Sequence, residues 1–318
     1  MGRKAVRNEP DAKLATEIAL RVIGHPPDQV RRFTTGACHF VFEVTFAART
    51  PIVVRIGNTS AQSDVAGAVY FSGLLRPRGV PLPALLAHDT RAEFPWLVLE
   101  RLSGTDLGEV IDSLSDGQLE RIAAEVARAQ AATGEIGTAG RYGYAVRPDQ
   151  APYTAWSRVL DDNLARSRRR ITSAGLFNVG LVDLVQARVA ASRDEVDQIG
   201  ATPFLHDTTL RNVIVTAEGV LSGIVDVDDL CFGDPRYPAA LTLAVLMARG
   251  HPAHYVSAWL HHAGHRDDSI FRLYVSLFLL DLMSEHGQEF NGNQPPSTVD
   301  SRMALYRAFE SNLVLIYP

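Results

Sequence analysis

Residues 204–235, FLHDTTLRNVIVTAEGVLSGIVDVDDLCFGDP, hold two short apolar runs on either side of a glycine turn. The first run is Val213-Ile214-Val215, the turn is Ala217-Glu218-Gly219, and the second run covers 220–225 and ends on Asp226. Apolar runs separated by a short Gly-containing loop predict a β-hairpin. Asp207 and Asn212 precede its first strand and Asp226 follows its second, so all three oxygen-bearing side chains emerge at one end. Hard cations such as magnesium take carboxylate and amide oxygens held close together. Phosphoryl transfer needs, in addition, a carboxylate that accepts a hydroxyl proton. One hairpin can supply both. The alternative for each residue taken singly is a loop or turn former; their joint spacing ahead of Gly233-Asp234-Pro235 favours a site.

The rest of the chain narrows the class. It has 318 residues, 46% hydrophobic and 21% charged, the balance of a globular protein, and its length suggests two domains or two lobes of one fold. A net charge of −5 leaves no nucleic-acid footprint. The opening MGRKAVRNEPDAK lacks the apolar core of a secretory signal. The longest apolar stretch, 238–248, is too short to span a bilayer. Cys38 and Cys231 cannot make a disulfide framework and fit a reducing compartment. The expectation is a cytoplasmic protein with neither nucleic acid nor membrane as partner; oligomeric state is open. Lys4 and Lys13 are the only lysines, so every later side-chain cation other than histidine is arginine.

Helical periodicity over 11–22 is followed by alternating β-formers over 29–56, a plausible helix over 62–76, an extended Gly79–Pro83 segment and a buried strand over 94–102. Beyond Gly104 the pattern turns helical. Ser115 and Gln118 form a capping box, and helices are predicted over 154–171, 178–198, 238–248, 253–263, 269–287 and 298–315. The reading is an α+β protein of two lobes: a β-rich N-lobe over 1–103, and a helical C-lobe over 104–318 interrupted by the hairpin. A cleft between lobes is the expected ligand site.

This layout and the 204–235 stretch resemble the aminoglycoside phosphotransferase family, small-molecule kinases with a protein-kinase-like fold, hygromycin-type phosphotransferases being plausible relatives. The resemblance implies that Asp207 is the catalytic base and that Asn212 and Asp226 hold Mg2+ between the phosphates of ATP or GTP. It implies a phosphate-covering loop at Gly36-Ala37-Cys38-His39, where an ordinary hairpin start is the alternative. Arg55 stands where relatives place a phosphate-binding cation; an edge-strand surface arginine is the alternative. The backbone at Glu100 and Leu102 would bond the purine edge, or else simply end a core strand. The implied partners are a nucleoside triphosphate and a small-molecule alcohol, an aminoglycoside-type antibiotic first. Other acceptors are a macrolide, a choline-like amine or a methylthioribose-like sugar. A rival is an inactive nucleotide-binding relative.

Departures from the family pattern fall in the catalytic loop, where Leu205-His206-Asp207 replaces the usual His-Gly-Asp. The helix after Arg55 has no glutamate; Asp64, its only acid, lies roughly one turn before the usual place. Tyr237-Pro238 stands in place of tyrosine-aspartate, removing a helix cap. Asp161, Asp162, Asp229, Asp281 and Glu285 are candidate acids for a cationic acceptor, with arginine partners or solvent exposure as the alternative. His261 and His265 have metal-ligand spacing without an intervening carboxylate, so polar helix faces explain the histidines better.

Overall fold

The computed structural model describes residues 9–33, 39–288 and 297–316. Helix α1 (Ala12–Ile23) starts where the Asp11 carboxylate accepts from the Leu14 amide, satisfying one of the orphan donors of a helix start. Strands β1 (Gln29–Arg32), β2 (Phe40–Phe46), β3 (Arg49–Ile56), β4 (Leu85–Asp89) and β5 (Trp96–Glu100) form one antiparallel sheet in the order β1-β2-β3-β5-β4. Helix α2 (Gln62–Leu75) connects β3 to β4.

Alternation along the strands sorts their side chains onto two faces. Ile52, Val54 and Ile56 of β3 and Trp96 and Val98 of β5 pack with Ala15, Ile18 and Ala19 of α1. Leu97 and Leu99 turn the other way, onto Val65 and Ala68 of α2. Arg55, between Val54 and Ile56, belongs to that second face. It is 5% exposed on a central strand, which removes the edge-cation alternative.

The chain leaves this sheet through Gly104, whose φ is +100° and where a Cβ would stand 1.9 Å from the Val215 carbonyl oxygen. Only glycine fits so close an approach with positive φ. Strand β6 (Thr105–Asp106) and the short helix α3 (Leu107–Val110) follow, then α4 (Asp116–Gly134) behind its Ser115–Gln118 capping box. Next come β7 (Gly143–Ala145), α5 (Trp156–Ala174), α6 (Gly180–Ala191), α7 (Arg193–Asp197) and β8 (Thr202–Phe204). The hairpin is β9 (Val213–Val215) and β10 (Leu221–Ile224), followed by β11 (Leu230–Gly233) and helices α8 (Tyr237–Arg249), α9 (His254–His262), α10 (Ser269–Glu285) and α11 (Val299–Ile316). The hairpin takes β6 as a third strand in the sheet β10-β9-β6, and β7-β11-β8 form a second small sheet.

The structure differs from the sequence reading in two respects. The helix expected over 178–198 is two helices parted at Ser192, which lets Arg193 reach Ser157 and Asp161 on α5. Strands β4, β6, β7, β8 and β11 come in addition to the expected ones.

The large helical core gathers α4, α5, α8, α9 and α10 around Trp156, Tyr237, Trp259 and Phe271. A smaller core joins the two lobes: Phe71 and Leu75 of α2, with Val80 and Leu82, meet Ala129, Leu205, Ile224 and Phe232. Among the described residues, no helix is long and apolar enough to cross a membrane.

Candidate active site

Between β8 and β9 the chain makes the loop that carries Asp207. Leu205 is buried in the core between the lobes, so it cannot give the loop the polar support a histidine would. Gln130 of α4 supplies that support instead. Its Oε1 accepts from the Leu205 amide at 3.0 Å, and its Nε2 donates to the Leu205 carbonyl at 3.0 Å and to Thr208 Oγ1 at 2.9 Å. Thr242 of α8 donates to the Thr208 carbonyl at 3.1 Å. These buried bonds, formed away from competing water, fix the loop from both sides. Neither Gln130 nor Thr242 is among the residues the sequence points to. The available signal was Gln130 itself, a polar side chain continuing the apolar stripe Leu119, Ile122, Ala123 and Val126 of α4.

The loop and the hairpin converge. The Asn212 amide Nδ2 donates to the Asp207 carbonyl at 2.8 Å, and the Val225 amide donates to the Asn212 carbonyl at 2.9 Å. Leu205, His206, Asp207, Thr208, Asp226 and Asp229 line one small depression. Burial pushes the Asp207 carboxyl up, as does the Asp226 charge, against the pull of His206 and hydrogen bonds from Thr209 and Asn212. Burial alone would lower His206, but its hydrogen bond to Asp229 and the surrounding acids raise it above the usual range. His206 Nε2 lies 2.7 Å from Asp229 Oδ1, and its ring meets Tyr144 edge-on at 4.9 Å.

Asp226 is held at φ +68°, the one positive φ at a non-glycine among the described residues. A left-handed aspartate costs on the order of 1–2 kcal/mol, and such strain collects at functional sites. The donor set suits a hard cation. With Nδ2 engaged, the Asn212 Oδ1 is its remaining oxygen, and Asp226 adds a carboxylate. A cation already stands against Asp226, for Arg55 Nη2 lies 2.9 Å from its Oδ1. The same nitrogen makes a short ion pair with Asp228 Oδ2, which also accepts from His39 Nε2 at 2.9 Å. Burial alone would raise the Asp228 carboxyl, yet the Arg55 charge and the His39 and Arg55 hydrogen bonds hold it at about 2. Among the described residues, no group of three or more His, Cys, Asp and Glu side chains gathers as a metal site, the α9 histidines included.

The other sequence candidates are distributed as follows. Gly36 lies outside the described residues. At the end of β5, the Glu100 amide donates to the Ala84 carbonyl at 2.8 Å and its carboxylate accepts from the Ala84 amide at 3.0 Å. The Leu102 side chain packs toward Gly223 of β10, at the junction of the lobes. Asp229 is at the Asp207 depression. Glu285, at the end of α10, is pushed up to about 7 by burial and by Asp281, with Asp207 among its electrostatic neighbours. Asp281 is gripped by Arg166 at 2.9 and 3.2 Å. Asp161 is taken by Arg193 at 3.0 Å, and Asp162 accepts from the Tyr153 hydroxyl. These two engage α7 and the 142–153 segment.

A family model for the phosphotransferase enzyme family (APH) matches residues 29–274, a span running from β1 through the hairpin into α10. The chain belongs to that family. This phosphotransferase shares its fold with aminoglycoside phosphotransferase APH(4)-Ia. A thermostable mutant of that protein, in ternary complex with AMP-PNP and hygromycin B, aligns at TM-score 0.61 and 17% identity over 95% of this chain and 97% of that one. The GDP complex of a mutant aminoglycoside 2'-phosphotransferase-IIIa aligns at TM-score 0.65 and 14% identity, over 96% of each chain. A candidate fructosamine-3-kinase from Thermobifida fusca YX-ER1 aligns at 0.62 and 18%, over 94% and 98%. None of the curated proteins matches the sequence. The fold is therefore that of the small-molecule kinases, and the protein is a phosphotransferase enzyme.

Proposed function

We propose that this phosphotransferase moves the γ-phosphoryl group of ATP or GTP to a hydroxyl of a small molecule in the cytoplasm, with an aminoglycoside-type antibiotic as the first acceptor class. The observation that carries this reading is that Asp207 and Asp226 line one depression, with the Asn212 amide bonded to the Asp207 backbone and the buried cation Arg55 against Asp226. In this reading Asn212 and Asp226 hold Mg2+, which supplies charge neutralisation on the phosphates. Arg55 holds phosphate oxygens, for which a guanidinium fork is suited. Asp207 accepts the acceptor's hydroxyl proton as the new O–P bond forms and the bond to the β-phosphate oxygen breaks, releasing the nucleoside diphosphate. The Gln130 and Thr242 supports keep that carboxylate in place. The purine would lie at the Glu100–Leu102 backbone, within an N-lobe that ends at residue 103.

One observation favours a less cationic acceptor as the second reading. Asp281 is already matched by Arg166, and Asp229 by His206. That leaves less unmatched negative charge than a polycation would use. A neutral or singly charged natural-product or metabolite alcohol fits such a surface.

Asp207→Ala should leave nucleotide affinity near wild type and cut transfer by about 10²–10⁴-fold. The measurement is phosphate transfer to a panel of aminoglycosides and other alcohols, alongside a nucleotide titration. Unchanged transfer would remove Asp207 from its role, and nucleotide binding with no transfer to any acceptor would favour the inactive relative.

A further inference from the structure

Arg55 is buried, and a guanidinium out of water requires an anionic partner. The helix that follows it does not provide one. Asp64, the only acid of α2, is exposed in the first turn and accepts from its neighbour Ser63. One turn further on stands Gly67, and a Cβ there would lie 2.0 Å from the Asp228 carbonyl oxygen. Helix and loop are in backbone contact at that point, so no side chain of any kind can project from position 67.

The acid comes from the loop that displaces it. Asp228 Oδ2 takes both Arg55 Nη2 and His39 Nε2, from β3 and from just ahead of β2. Arg55 thus stands between two carboxylates of different character. The Asp228 side chain is 22% exposed and backed by His39, whereas that of Asp226 is 46% exposed and open to the cleft.

We propose that Asp228 is the positioning residue for Arg55. It anchors the guanidinium permanently, while Asp226 is an exchangeable partner that releases Arg55 to the nucleotide phosphates. A carboxylate on the loop after the hairpin thereby does from the C-lobe what α2 has no room to do from the N-lobe. This inference rests on the phosphotransfer reading, since it needs a nucleotide in the cleft.

The test is equilibrium binding of a fluorescent ADP analogue to the full chain, with magnesium and again in EDTA. Asp228→Asn and Arg55→Ala should each weaken binding by about tenfold. The double variant should be no weaker than Arg55→Ala alone, because Asp228 acts through Arg55. The Asp228→Asn loss should persist in EDTA, and Asp228→Glu should recover most of it. Losses that multiply in the double variant, or a loss confined to magnesium, would overturn the proposal and leave phosphotransfer standing. Failure of the wild-type protein to bind nucleotide in either buffer would overturn both. Should Asp228→Asn not fold, the same cycle with Asp228→Ser and Arg55→Lys reads the coupling.

Discussion

Asp226 carries two demands on one residue, a left-handed backbone and a carboxylate aimed into the cleft. They can be separated by substitution. Asp226→Gly relieves the backbone and Asp226→Ala does not, so the glycine variant should be the more stable by about 1 kcal/mol. Both should lose the magnesium-dependent part of nucleotide binding. Melting curves and titrations with and without magnesium read the two effects independently. Equal stabilities would dismiss the backbone argument; intact magnesium dependence would dismiss the ligand role. Asp207, Asn212 and Asp226 could be picked out by spacing because a short hairpin brings its two ends together. Asp228 could not. Its meaning depends on Arg55, 173 positions earlier, and on a backbone contact with Gly67, neither of which leaves a periodic trace.

At the scale of elements, α4 acts as the rear support of the Asp207 loop. Gln130 satisfies both the amide and the carbonyl of Leu205, and removing its head strands buried polar groups. Gln130→Ala should cost about 2–3 kcal/mol in urea denaturation and lower turnover while nucleotide affinity stays near wild type. Unchanged stability would show that water or a neighbour replaces the amide. The hairpin, α1, α2 and the capped start of α4 were legible because each is set by local periodicity and end chemistry. Strands β7, β8 and β11 were not. Each spans only three or four residues and pairs across long separations, as Cys231 does with Phe204 and Tyr144. The apolar pattern likewise ran through Ser192 without revealing the turn that delivers Arg193 to Asp161.

For the whole molecule, Glu285 links pH to stability. Its carboxyl is pushed up to about 7 from an ordinary 4.5, so the native state keeps a proton that the unfolded chain releases. Stability is therefore lost as pH rises from about 4.5 to about 7. Glu285→Gln, which cannot ionise, should match wild type near pH 4 and exceed it at pH 8 by on the order of 3 kcal/mol. Paired melting curves at the two pH values check this, and a variant weaker at pH 8 would reverse the sign.

The α2 helix touches the sheet with Val65 and Ala68 and the C-lobe with Phe71 and Leu75, behaving as a mortise shared by both halves. Prising the halves apart would wet those aromatic and aliphatic surfaces, at roughly 1.5–3 kcal/mol per large side chain. A nucleotide bound as proposed would therefore enter on the Asp226 side, where that carboxylate is exposed, while the α2 contact with both halves stays packed.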